Sequence, residues 1–207
     1  MTAAALRTPG FARPVHDAQR VFRAVLEALS RPTIAQPVEV DLAPPAPLDP
    51  VAGAVVLALA DEQAPVWLDA ALRRSDDVAA WIRFHTGAAI VADPADAVFC
   101  VASTPSAAPA LDAMRQGTDE EPHLSSTLII GAGAARPTGE FAVTGPGVNG
   151  AADWDGAGLP SAFLAQWKAN NARFPRGVDV LIAGVRDVRG LPRTTVIEPA
   201  SETEEAR

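Results

Sequence analysis

The 207-residue chain predicts an α/β fold: one domain with helices on both faces of a mixed β-sheet, a three-layer α/β/α arrangement. Three observations carry this. Segments of helical periodicity interleave with short β-rich runs, as layered α/β domains require. No repeat of fixed period is visible, which sets solenoids and propellers aside. The hydrophobic content is 48% and the charged content 20%, the balance of a globular chain with one core.

The elements follow in order. Pro14 to Ser30 reads as a helix, and Pro14 suits its first position. Val15, Ala18, Phe22, Val25 and Leu29 recur at spacings of three and four, with Leu26 widening the stripe, so these predict the buried face. Asp17, Arg20, Arg23 and Glu27 lie off it, and Pro32 stops the helix. Residues 33–42 read as extended, and the proline-rich run 43–50 as a surface loop. Alanine content and length make residues 51–60 a buried helix. Residues 65–68 are a strand candidate. Ser75 is placed to cap a helix from Asp76 to about Phe84, whose positive end Asp76 and Asp77 favour. Residues 88–92 and 97–102 read as strands split by Asp93-Pro94-Ala95-Asp96, and residues 107–114 as a short helix.

Residues 127–130 and 140–144 read as strands joined in a hairpin. Residues 159–171 form a helix with Phe163, Leu164 and Trp167 on one side. Residues 178–185 are β-rich, and 194–197 form a last strand; these close pairs predict antiparallel strands within the sheet. Residues 1–198 are thus expected as a single domain. The tail, 199–207, carries three Glu and is expected to be disordered.

Charge and composition narrow the function. The net charge is −8, which weighs against non-specific nucleic-acid binding but leaves room for a local arginine-lined anion site. Cys100 is the only cysteine, so neither an internal disulfide nor a cysteine-based metal cluster forms; its apolar run marks it as a core residue. The N-terminus has no signal-peptide pattern and no apolar run is long enough to span a bilayer, so a cytoplasmic protein is expected.

Several motifs fail. Gly131-Ala132-Gly133 follows a strand, but Arg136 replaces the third glycine of a dinucleotide loop and Pro137 follows; a hairpin loop is the better reading. The single lysine, Lys168, rules out a Walker loop and reads as a solvated helix residue. His16, His85 and His123 lack metal-ligand spacing. Asp153-Trp154-Asp155-Gly156 lacks the acidic partners of a calcium loop and reads as a polar turn. No catalytic residue, metal ligand or cofactor is assigned.

Three C-terminal signatures survive. Gly145-Pro146-Gly147 ends a strand and is either a tight turn or an anion-binding nest of Gly145 and Gly147. Phe174-Pro175-Arg176-Gly177-Val178-Asp179 joins helix to strand, with Arg173 beside it. Its arginines either order the junction by a salt bridge or anchor a phosphate or a partner's carboxylate. In Leu191-Pro192-Arg193-Thr194-Thr195, Arg193 points into a cleft or interface, or belongs to an ordinary edge.

These signatures resemble, in their order, the PhnH family, a subunit of the bacterial carbon–phosphorus lyase machinery. Phe11, the Ala18-Gln19-x-x-Phe22-Arg23 pattern and Leu29-Ser30-Arg31-Pro32 resemble the family's first helix and its stop. The resemblance implies a fold similar to pyridoxal-phosphate-dependent transferases without the cofactor lysine, and no cofactor. It implies a homodimer that joins PhnG, PhnI and PhnJ. That complex supports attachment of an alkylphosphonate to the ribose of ATP before the C–P bond is broken. The expected role is therefore an accessory subunit, with a phosphate- or partner-contacting surface at Gly145, Gly147, Arg173, Arg176 and Arg193. Two other readings remain: a free-standing enzyme or binding protein that holds a phosphorylated metabolite on these arginines, and a vestigial pyridoxal-phosphate enzyme using Lys168.

Overall fold

The computed structural model describes residues 8–134 and 136–200. Helix α1 (Pro14–Ser30) leads to the short edge strand β1 (Gln36–Pro37) and then α2 (Pro50–Leu59). Strand β2 (Val66–Leu68), α3 (Ala70–Arg73), α4 (Asp76–Thr86), β3 (Ile90–Val91) and β4 (Phe99–Ala102) follow. The second half holds β5 (Thr127–Gly133), β6 (Phe141–Thr144), β7 (Ala152–Trp154), α5 (Ala162–Asn171), β8 (Asp179–Gly184), β9 (Asp187–Leu191) and β10 (Val196–Pro199).

Seven strands form the main sheet in the order β1-β9-β8-β5-β4-β2-β3. The run from β8 to β3 is parallel, and β9 adds antiparallel to β8, with β1 antiparallel to β9. The sheet is mixed, as expected. One face packs against α1, α2 and α4, around Val25, Val55, Trp81, Ile129 and Leu181. The other face packs against α5 and a second, three-stranded sheet, β10-β6-β7, around Leu128, Ile130, Phe163, Trp167 and Ile182. The chain is therefore an α/β domain with its sheet between two covering layers.

Several sequence expectations change. The α1 bounds stand, but its buried face is Asp17, Val21, Ala24, Val25 and Ala28. Val15, Phe22 and Leu26 are 68%, 46% and 52% exposed. The apolar arc of α1 is wider than the core covers, so the expected stripe lies mostly outside. Residues 127–144 form no hairpin: β5 sits between β4 and β8, while β6 pairs with β7 and β10. Gly131 to Gly133 extend β5 instead of turning. Residues 107–114 form only single 3₁₀ turns, at Pro105–Ala107 and Leu111–Ala113, because Pro109 disfavours helix at Ala108. The polar turn expected at Asp153 is strand β7 in part. Ser75 occupies the α4 cap position, but its hydroxyl donates to the Ala46 carbonyl instead. Pairing in β10 continues to Pro199, and the Ala200 N–H donates to the Glu140 carbonyl, so the expected tail begins inside a sheet. The rest of that tail, 201–207, lies outside the described residues.

A buried carboxylate ties the C-terminal ends of β2 and β4. Asp69 is 2% exposed and caps α3: its Oδ1 accepts from the Ala71 and Leu72 N–H groups. Its Oδ2 accepts from the Ser103 N–H and hydroxyl, both at 2.6 Å. The strand order reverses between β2 and β4, where open α/β sheets place ligands. Here the Asp69–Ser103 tie occupies that crevice. Burial alone would raise the Asp69 pKa, but the Ser103 hydroxyl and the Leu72, Ser103 and Ala71 N–H groups hold it below the ordinary value. A depressed folded-state pKa gives stability that is present above the unfolded value and lost as pH falls through the folded one. Asp69→Ala is expected to cost roughly 3 kcal/mol at neutral pH, since it orphans buried donors. The cost should shrink in acid, a difference that urea unfolding at pH 7 and at pH 3 measures.

Candidate functional site

The second and third signatures converge, and what joins them is Arg193. It follows β9, and its side chain is 13% exposed. Its Nε and Nη2 grip Asp179 at 3.1 and 2.6 Å, a two-point fork on a carboxylate at the start of β8. Nη1 donates to the Pro122 and Pro175 carbonyls at 3.0 and 3.2 Å, and Nη2 also to the Ser125 hydroxyl at 2.6 Å. A guanidinium has five donors. All five are engaged within the chain.

Arg173 and Arg176 reach the same loop. Arg173 follows α5 and donates from Nη1 to the Gln116 side-chain carbonyl at 2.9 Å. Arg176 pairs with Asp119 at 3.0 Å, with side chains 47% and 68% exposed, a contact worth little in solvent. Three arginines thus hold the segment 116–125 against the helix–strand junction. Each of Arg173 and Arg176 keeps further donors without a partner among the described residues.

The last turn of α5 fixes the frame. Asn170 is buried, donates to the Val178 carbonyl and accepts from the Val178 N–H, which closes the chain on itself around Gly177. Gly177 has φ +115°, and a Cβ there would stand 2.8 Å from the Asn170 Oδ1. The Asn171 amide and the Trp167 indole N–H both donate to the Thr195 carbonyl.

Gly145 lies against the other side of this segment, where an added Cβ would meet the Thr194 carbonyl oxygen at 2.8 Å. Gly147, at φ +86°, packs on the Ser30 carbonyl at the end of α1. The two glycines therefore serve close backbone approach, and Gly147 stands apart from the arginines. Sequence reasoning missed Gln116, Ser125, Asn170 and Asn171. Nothing marks polar residues of these types as site residues in advance.

Lys168 lies on the exposed side of α5. Among the described residues no group of three or more His, Cys, Asp or Glu is placed to hold a metal ion. No described helix is long and apolar enough to cross a membrane. Burial pushes the Cys100 thiol up to about 12, the behaviour of an inert core residue.

The junction, its arginines and the first helix all fall within residues 9–198, which match the family model described as bacterial phosphonate metabolism protein (PhnH). The chain belongs to the PhnH family. It is also similar to the alpha-D-ribose 1-methylphosphonate 5-triphosphate synthase subunit PhnH of Rhizobium meliloti (strain 1021), with 39% identity over 188 residues. That alignment covers 91% of this chain and 94% of the relative, so the PhnH resemblance covers most of the chain rather than one motif.

Proposed function

We propose that this chain is an accessory subunit of the cytoplasmic carbon–phosphorus lyase core complex, in which it supports formation of α-D-ribose 1-methylphosphonate 5-triphosphate. Its partners are PhnG, PhnI and PhnJ, and the free chain forms a homodimer. The observation that carries this reading is the near end-to-end match to a relative named as a subunit of that synthase.

The uncovered arc of α1 supports a role in assembly. Val15, Phe22 and Leu26 recur along one side of the helix and stand exposed. Exposed apolar residues in a contiguous row mark protein contacts. Arg173 and Arg176, with donors to spare, are the residues to which a phosphate or partner contact is assigned. Arg193, Gly145 and Gly147 shape the surface beneath them.

The test is the double variant Phe22→Asp, Leu26→Asp. Both side chains are half-exposed, so stability should stay within about 0.5–1 kcal/mol of the parent. Loss of the dimer, or of co-purification with the partner subunits, is expected by sizing chromatography. Unchanged assembly by a folded variant would contradict the use of this face.

A further inference from the structure

A second place in the molecule has the makings of a small-molecule site. A cavity of about 790 Å³ opens between the three-stranded sheet and the β1–β9 edge of the main sheet. Three residues that carry side-chain donors line it, one at its surface and two buried in its wall. Arg189, on β9, has a side chain only 31% exposed. Yet its guanidinium makes no hydrogen bond among the described residues; the carboxylates of Asp155 and Asp187 stand at 3.9 Å, beyond hydrogen-bond reach. The contrast with Arg193, whose five donors are all engaged, is direct.

Thr33 and Trp154 also line the cavity, at 7% and 6% exposure. The Thr33 hydroxyl and the Trp154 indole N–H are two of three buried side-chain polar atoms without a partner among the described residues. An orphaned buried polar group costs about 1–3 kcal/mol. Thr33 moreover adopts φ +67°, in the left-handed region that a β-branched residue rarely enters. Backbone strain of this kind clusters at binding sites. Residues with unsatisfied donors and a strained backbone thus meet in the wall of one cavity.

The charges select the ligand. Among the described residues, Asp153, Asp155 and Glu140 line the same cavity against one cation, Arg189. That balance repels a polyanion such as a triphosphate. It suits a ligand with one acidic head for the donors and one ammonium for the carboxylates. Phe141, 5.9 Å from the Trp154 ring, offers an apolar wall for the carbon chain between them.

We propose that this cavity binds a small oxoacid that also carries an ammonium group. A phosphonate and a carboxylate share the acceptor chemistry this head requires. This inference does not rest on the assembly reading: the free chain should bind.

The test follows the indole N–H of Trp154 by nitrogen-15 NMR on the full chain. The chain has four Trp, and the other three indole donors are already bonded to the Ala92, Thr8 and Thr195 carbonyls. Trp154→Phe assigns the signal. Titration with 2-aminoethylphosphonate and, separately, 3-aminopropanoate should shift that signal saturably; a response to one alone supports the site and names its head group. Ethylphosphonate and propanoate, which lack the amine, should bind at least about tenfold more weakly, and so should the Arg189→Gln protein. If Arg189→Gln does not fold, Arg189→Lys, which keeps the charge but loses the fork, should show the same loss. No shift with either amino acid, equal binding by a folded Arg189 variant, or equal binding of ATP would overturn the proposal. Binding by a chain that fails to co-assemble would sustain it while defeating the assembly reading.

Discussion

Arg193→Ala is expected to destabilise the fold by about 3 kcal/mol, the cost of leaving a largely buried carboxylate without its partner. For a chain of this length that lowers Tm by roughly 6–12 °C. The substitution removes five hydrogen bonds at once and strands Asp179, whose side chain is 23% exposed. Arg193→Lys should recover little, because an ammonium cannot reproduce the two-point fork on Asp179 while also reaching the Pro122 and Pro175 carbonyls and the Ser125 hydroxyl. Thermal unfolding of the two variants beside Arg176→Ala decides the matter. Arg176 holds one exposed ion pair, so its loss should shift Tm by little. A contact arginine would show the opposite pattern, with Tm unchanged for Arg193→Ala and phosphate or partner binding lost.

Gly190→Ala is the second substitution with a large expected cost. Gly190 lies on β9, where α1 crosses the sheet. A Cβ there would meet the Ala28 carbonyl oxygen at 2.6 Å, its carbon at 2.7 Å and the Leu29 nitrogen at 2.8 Å. All three are helix backbone, and no side chain can swing away to relieve them. The helix must lift from the sheet, which also loosens Val21, Val25 and Ala28 from the core. Overpacking of this kind costs about 1–3 kcal/mol, and the added loss of helix contacts puts this case at the upper end. Urea unfolding measures it. Hydrogen exchange should show faster opening of α1 in particular. Unchanged stability with unchanged α1 protection would contradict the close approach. The Phe22/Leu26 variant makes the complementary case: the same helix, with assembly lost and stability kept.

The element types were largely legible because helical periodicity and β-rich runs are local properties. The bounds of α1, the place of α2 to within one residue, and the strands β2, β4, β5 and β8 follow from them. Which side of α1 is covered was not legible. Its apolar residues occupy an arc that serves both core and surface, and periodicity cannot tell the two halves apart. Strand β9 escaped notice because Asp187, Arg189 and Gly190 break any β-rich pattern. Strand β7 was hidden inside an acidic turn-like run. Without these two strands the antiparallel edge beyond β8 and the second sheet could not be placed, and the hairpin filled the gap.

The same cause limited the site. Arg173, Arg176 and Arg193 were legible as unusual arginines, and their signatures do meet. Their common partner, the segment 116–125, carries no pattern that announces it. Arg189 was invisible as a candidate because its strand was. Whether an arginine is free to bind depends on how many of its donors the fold engages, and that quantity exists only in three dimensions. Arg193 and Arg189 are close in sequence and opposite in this respect.

The central claim is membership of a working assembly. The most direct measurement is co-expression of the tagged chain with PhnG, PhnI and PhnJ from its own source, followed by sizing chromatography of the eluate. The account predicts one stable large species that contains all four chains. Elution of this chain alone as a dimer, while the other three still associate, would contradict it.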